Sequence, residues 1–108
     1  MNHLFDLTGK VAVVIGGNSV LGSAMAKGLA AYGAKVAIVG RNLDKAEQVA
    51  ADIRRHGGAA QAFQADVSER ASLLQVAEHI EQWAGGWDIL LNAPGKNSPT
   101  PFFELDAD

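Results

Sequence analysis

The sequence predicts an α/β protein of the Rossmann type, a parallel sheet covered by helices. The first observation is that short apolar runs of strand length alternate with longer segments whose apolar residues recur every three or four positions. The second is that the first apolar run, residues 10–15, enters a glycine-rich turn and then a helical pattern. Strands that alternate with helices form a doubly wound parallel sheet, with helices on both faces.

Each element is predicted from its apolar period and from the residues at its ends. Four strands are predicted, at residues 10–15, 35–39, 59–64 and 89–91. Three helices are predicted between them, at residues 20–32, 43–56 and 68–84. Asn42 and Ser68 are the expected N-caps of the second and third helices, and a glycine follows each helix. The helix faces expected to pack on the sheet are Leu21, Ala24, Met25, Leu29 and Tyr32, then Leu43, Ala46, Val49, Ala50 and Ile53, then Leu73, Val76, Ala77, Ile80 and Trp83.

Composition narrows the possible classes of protein. The 108 residues predict one domain spanning 1–108, and 48% hydrophobic residues can form its core. The net charge of −3, with both signs interspersed, argues against a nucleic-acid surface. The chain has no cysteine, its three histidines lack metal-ligand spacing, and no run is long enough to span a membrane. These features predict a cytoplasmic protein without a metal site, a nucleic-acid partner or a membrane partner.

The glycine-rich turn after the first strand is the best candidate for a binding site. Free N–H groups and the positive end of a helix dipole meet there, an arrangement that suits a pyrophosphate. Val20 stands between Gly16 and Gly22, where the dinucleotide fingerprint has a glycine. The alternative is a tight turn that needs glycine only for its backbone angles. The Ser19 hydroxyl suits either a phosphate contact or a helix cap.

Several segments together resemble the short-chain dehydrogenase/reductase family over essentially the whole chain. They are Thr8-Gly9-Lys10, the turn from Gly16 to Gly22, Gly40-Arg41-Asn42, Asp66-Val67 and the segment from Asp88 to Gly95. The resemblance implies strand order 3-2-1-4 and hydride transfer between a nicotinamide cofactor and a carbonyl or secondary alcohol. The Val-Leu-Gly turn and residues 40–47 are similar to the D-mannonate (fructuronate) oxidoreductase-like branch, which implies a sugar acid or polyol as substrate.

The resemblance also assigns cofactor-binding positions. The pyrophosphate turn would comprise Gly16, Asn18, Ser19, Val20, Leu21 and Gly22. Arg41 and Asn42 would select the cofactor, and Asp66 and Val67 would contact the adenine. The ribose would be supported by Asn92, Ala93, Pro94 and Gly95. Two positions depart from the family pattern, because Val20 replaces the middle glycine and Pro94 falls within the Asn-Asn-Ala-Gly segment.

The end of the second strand predicts a preference for NADP(H) over NAD(H). Neither Gly40 nor Arg41 carries a carboxylate that would repel a 2′-phosphate, and Arg41 can bond a phosphate through its guanidinium. The alternative is a solvated arginine that precedes a helix. Asp66 also has an alternative, as a loop or cap residue before Ser68.

No catalytic residue is assigned within this sequence. In the family the catalytic Ser and the Tyr-x-x-x-Lys pair lie beyond the position of residue 108, and Tyr32 has Val36 four residues later. The expectation is a cofactor-binding half that is inactive alone. The alternatives are a non-catalytic dinucleotide- or partner-binding module and an inactive truncated fragment. The apolar fourth strand is expected to be an exposed sheet edge, and the third helix to expose part of its apolar face. The expected result is either a homo-oligomer formed through these two elements or a marginally folded, largely molten chain.

Overall fold

The four strands form one parallel sheet in the order β3-β2-β1-β4. A computed structural model of the chain describes residues 6–16, 19–66 and 68–93. The strands are β1 Val11–Ile15, β2 Lys35–Gly40, β3 Ala59–Gln64 and β4 Ile89–Asn92. The helices are α1 Val20–Ala31, α2 Leu43–Arg55 and α3 Arg70–Ala84. The predicted fold class and strand order are confirmed.

The strand register brings the carboxyl ends of all four strands to one side of the sheet. Ile15 lies opposite both Val39 and Asn92, and Gly40 lies opposite Gln64. Backbone hydrogen bonds extend the sheet by one residue beyond these ends, from Gly16 N to Val39 O (2.8 Å), Ala65 N to Gly40 O (3.0 Å) and Ala93 N to Ile15 O (2.8 Å). We call the residues that follow the strands, Gly16, Arg41, Ala65 and Ala93, the strand-end rim.

The core consists of two apolar clusters, one on each face of the sheet. Alternate residues of β1 and β2 point to opposite faces, so both strands contribute to both clusters. The first cluster lies under α1 and α2 and contains Ala12, Val14, Ala26, Ala34, Val36, Ile38, Ala46, Ala50, Ile53 and Ala60. The second lies under α3 and contains Val13, Ala37, Val39, Phe63, Ala65, Val76 and Ile80. Helices therefore cover both faces, as the alternation of elements predicts.

Helix α1 packs on the sheet with a face that only partly matches the predicted one, since Leu29 packs against the first cluster as expected. Gly22 and Ala26 are its buried residues, whereas Leu21, Ala24 and Tyr32 are exposed. The prediction followed the large apolar residues, but small residues on the inner face let the helix approach the sheet closely. The predicted faces of α2 and α3 are largely correct, although Leu43, the first residue of α2, is exposed.

Of the two predicted helix N-caps, Asn42 is confirmed and Ser68 is wrong. Asn42 caps α2, since its side-chain oxygen accepts a hydrogen bond from Lys45 N at 3.1 Å. Helix α3 begins at Arg70 rather than at Ser68, with Glu69 at the N-cap position. The Ser68 hydroxyl instead donates to Asp66 Oδ1 at 2.6 Å. Among the described residues, no side chain bonds the N-terminal amides of α3.

Candidate functional site

The candidate site is the strand-end rim together with the N-terminus of α1. In open α/β sheets, ligands bind in the crevice beyond the carboxyl ends of the strands. The described residues from the predicted set that lie on or beside this rim are Gly16, Ser19, Val20, Leu21, Gly22, Arg41, Asn42, Asp66, Asn92 and Ala93. The other predicted positions, Asn18, Val67, Pro94 and Gly95, lie outside the described residues.

Ser19 holds the glycine turn together. Its hydroxyl donates to Gly16 O at 2.7 Å and accepts from Gly22 N at 3.0 Å, which caps α1. The same oxygen lies 3.3 Å from Ala93 O, at the end of β4. Gly16 has φ +79°, a left-handed conformation that favours glycine. Of the two roles considered for Ser19, the structure therefore shows the helix cap, and the carbonyls of Gly16 and Ala93 are both within reach of the hydroxyl proton.

The first turn of α1 presents backbone donors beside two exposed apolar side chains. The first amides of a helix have no acceptor within the helix, so those of Val20 and Leu21 face outward. The Val20 side chain is 90% exposed and that of Leu21 is 64% exposed. This turn, which the structure describes throughout, carries no acidic side chain. An anion at this end of α1 would therefore meet the positive end of the dipole without a competing carboxylate.

Arg41 borders an open cleft at the end of β2 and β3. The cleft has a volume of about 420 Å³ and is lined by Arg41, Gln64, Ala65, Asp66, Ser72 and Gln75. Arg41 is exposed, and its carbonyl accepts a hydrogen bond from Gln64 Nε2 at 3.1 Å. Asn42 is neutral and caps α2, whereas Arg41 lines the cleft. The guanidinium of Arg41 therefore brings a positive charge from this turn to the cleft.

Asp66 faces the same cleft as an ionised carboxylate. Its Oδ1 accepts hydrogen bonds from the hydroxyl and the backbone N–H of Ser68, at 2.6 and 3.0 Å. These two bonds, together with the charge of Arg41, lower the pKa of Asp66 below its ordinary value. The backbone N–H of Asp66 donates to Ser72 Oγ at 2.9 Å. Asp66 is therefore both a loop-forming residue and a cleft-lining acid.

The end of β4 lies directly against the glycine turn. Ala93 is 3% exposed, and it is fixed by its bond to Ile15 and by its carbonyl near Ser19. Asn92 is the last residue of β4 and is exposed. The rim is thus continuous from Asn92 through the turn to Arg41.

Four cleft-lining residues were not predicted as site residues from the sequence, namely Gln64, Ala65, Ser72 and Gln75. Gln64 could have been found from strand pairing, because the last residue of β3 must lie beside the last residue of β2 in a parallel register. Ser72 and Gln75 lie on α3, and no motif singles them out. Their position depends on how that helix is placed against the sheet.

Neither a metal-binding cluster nor a membrane-spanning helix is found among the described residues. Within residues 6–16, 19–66 and 68–93, no group of three or more His, Asp or Glu side chains could hold a metal ion. None of the helices in those ranges is long and apolar enough to cross a membrane. Tyr32 lies at the C-cap of α1, which is the opposite end of the helix from the rim.

Comparison with known proteins identifies the family. A family model described as short chain dehydrogenase matches residues 10–108, nearly the whole chain. The chain belongs to the short-chain dehydrogenase family. The sequence resemblance to this family is thereby confirmed.

Curated relatives are similar over most of this chain. An uncharacterized oxidoreductase, UxuB, of Bacillus subtilis is 43% identical over 101 residues, which are 94% of this chain and 36% of that protein. D-threitol dehydrogenase of Mycolicibacterium smegmatis is 39% identical over 101 residues, which are 94% of this chain and 39% of that protein. The chain therefore spans little more than a third of the length of these relatives.

Solved structures of the family superpose closely. Hydroxysteroid dehydrogenase of Escherichia coli has a TM-score of 0.84 and 33% identity, covering 91% of this chain and 42% of that one. A putative D-mannonate oxidoreductase of Haemophilus influenza with bound NAD has a TM-score of 0.82 and 36% identity, covering 87% and 34%. A metagenomic short-chain oxidoreductase in complex with NADP has a TM-score of 0.76 and 32% identity, covering 79% and 38%.

Proposed function

We propose that this chain forms the cofactor-binding part of an NADP(H)-dependent oxidoreductase that interconverts a carbonyl and a secondary alcohol. The observation that carries the proposal is the common rim of the α1 N-terminus and the Arg41 cleft. Family membership supports a nicotinamide dinucleotide as the ligand. The cofactor supplies the hydride chemistry, while the protein supplies binding and orientation.

The pyrophosphate is proposed to lie at the N-terminus of α1. Backbone amides and the helix dipole attract the anion there, and Gly16 provides the turn that leads to them. Asn18 belongs to the same proposed turn through the family pattern alone. Because Ser19 caps the helix, the proposed phosphate ligands are the backbone N–H groups of this turn.

The adenosine end is proposed to occupy the cleft of about 420 Å³. Arg41 would bond a 2′-phosphate through its guanidinium, and Asp66, with Val67, would contact adenine. The ionised state of Asp66 supports an acceptor role for its carboxylate. At the other end of the cofactor, Asn92, Ala93, Pro94 and Gly95 are proposed to support the ribose on the nicotinamide side.

Titration of NADPH and NADH against the chain tests this assignment. We expect NADPH to bind more tightly, and Arg41→Asp to reverse the order by replacing a phosphate-binding cation with a carboxylate. Loss of a charged hydrogen bond weakens NADPH by about tenfold or more. Lys10→Asp is the matched control, since this exposed lysine precedes β1 at the opposite side of the sheet. Equal affinities that Arg41→Asp leaves unchanged would contradict the proposal.

The proposed substrate class is a sugar acid or a polyol. It is supported by two similar proteins whose names include D-threitol dehydrogenase and D-mannonate oxidoreductase. We also infer a cytoplasmic homo-oligomer, in which association uses β4. This inference is supported by the position of β4 at one side of the described sheet and by Leu90, which is 59% exposed.

A further inference from the structure

Strand β3 lies at one side of the described sheet and lacks the charged residues and prolines that protect edge strands. Its sequence, AAQAFQ, contains no charged residue and no proline. Exposed edge strands of this kind pair with other chains, because their backbone donors and acceptors are unpaired along one side. Ala59, Gln61 and Gln64 are the exposed residues of this strand.

A side chain of α2 covers part of this strand's backbone. Arg54 Nη1 donates to Ala60 O at 2.8 Å, and Arg54 Nη2 pairs with the Glu47 carboxylate two helical turns earlier. The guanidinium is thereby held between the helix and the strand. Both side chains of the pair are about half exposed, with values of 43% and 52%, so the ion pair contributes little to stability. Its effect is to hold the positively charged guanidinium of Arg54 at the carbonyl of Ala60.

We propose that the β3 edge is a latent pairing surface for β3 of a second copy of this chain, and that Arg54 with Glu47 keeps it closed. A second copy suits the surface because β3 has no charged residue, so two β3 strands paired antiparallel about a twofold axis bring no like charges together. An incoming strand must displace the guanidinium from Ala60 O before it can bond there. Arg54 thus supplies from α2 the protective charge that β3 lacks.

Arg54→Met tests the proposal, because it keeps an unbranched apolar stem and removes the donor. Sedimentation velocity of the chain is compared with that of the variant over a concentration series. We expect association to begin at about tenfold lower concentration, as loss of a hydrogen bond from a charged group implies. Arg55→Met is the matched control, since Arg55 bonds Asp52 within α2 and does not contact the strand. Unchanged association of Arg54→Met overturns the proposal.

A rescue variant separates edge pairing from simple unfolding. Gln61→Lys, added to Arg54→Met, places a charge on the exposed strand itself, and we expect it to return association to the level of the parent chain. Thermal unfolding of each variant reports any loss of folded protein. If the double variant associates as much as Arg54→Met, association uses another surface or the unfolded state, and the proposal is wrong.

Discussion

In the turns that precede α1 and α2, one residue's side chain caps the helix. The side-chain oxygens of Ser19 and Asn42 each accept a hydrogen bond from the backbone N–H three residues later, so both side chains are used as helix caps. In the proposed site, the first amides of α1, Arg41 and Asp66 are among the groups that would bind the ligand. Capping and binding would then be separate functions of neighbouring atoms.

Val20 is the residue at which this turn departs most from its family. Its side chain is 90% exposed, so the valine is tolerated structurally. In the proposed site its methyl groups would stand where a phosphate approaches the backbone. We expect Val20→Gly to tighten NADPH binding by roughly two- to tenfold, the range for gaining one net hydrogen bond. Fluorescence titration of both proteins measures this difference.

Leu21→Ala is the control for that substitution. It removes the neighbouring exposed side chain, which is 64% exposed, but keeps a Cβ at position 20. We expect its affinity for NADPH to match that of the parent chain. If Val20→Gly leaves the affinity unchanged or weakens it, the valine does not hinder the phosphate.

At the scale of elements, the two outer strands of the described sheet differ. The backbone of β3 is covered by Arg54, whereas β4 exposes the apolar side chain of Leu90. We expect Leu90→Lys to shift sedimentation at micromolar concentration toward monomer, because a charge on the strand opposes edge pairing. Circular dichroism verifies that the variant is folded. A monomeric parent chain, or a folded variant that associates as the parent does, would contradict association through β4.

The sequence predicts most elements well because their patterns are local. The bounds of β3 are those predicted, and the other strands differ by one residue. Errors occur where a residue serves a neighbour instead of its own element. Ser68 has the chemistry of a helix cap but bonds Asp66, and α1 packs through Gly22 and Ala26 because close approach favours small residues. Neither choice is visible from an apolar period.

The candidate site was predicted less completely than the fold. Gly16 and Arg41 lie on the rim as expected, because parallel strands must bring their carboxyl ends together. The cleft wall formed by Ser72 and Gln75 was missed. It results from the placement of a helix against a sheet, and the sequence contains no local pattern for such a contact.

At the scale of the whole molecule, acid should destabilise the fold through carboxylates that are bonded in the native state. Bonds from Lys27 and then Arg55 lower the pKa of Asp52, and bonds from Thr8 lower the pKa of Asp6. A native pKa below the unfolded value of 3.8 means that the stabilisation is present above pH 3.8. It is lost as the pH falls through the lower native pKa.

Asp52→Asn tests this dependence. The amide cannot ionise, so we expect the variant to be less stable near neutral pH and its free energy of unfolding to change less between pH 5 and acid. Urea unfolding at a series of pH values measures both effects. Asp44→Asn, at an exposed position in the first turn of the same helix, is the control. If the free energy of unfolding of Asp52→Asn falls with decreasing pH as steeply as that of the parent chain, the ion pairs of Asp52 do not contribute to the acid sensitivity.

The two apolar clusters differ in size, so the two faces of the sheet hold their helices unequally. Helices α1 and α2 share the larger cluster, whereas α3 is held by Val76, Ile80 and the contact of Lys35 with Trp83. Helices with fewer buried contacts open first in local fluctuations. Since α3 carries Ser72 and Gln75, we expect the α3 wall of the Arg41 cleft to fluctuate more than the wall formed by the strand ends. A ligand that touches both walls is then expected to hold α3 in place and to rigidify the smaller cluster.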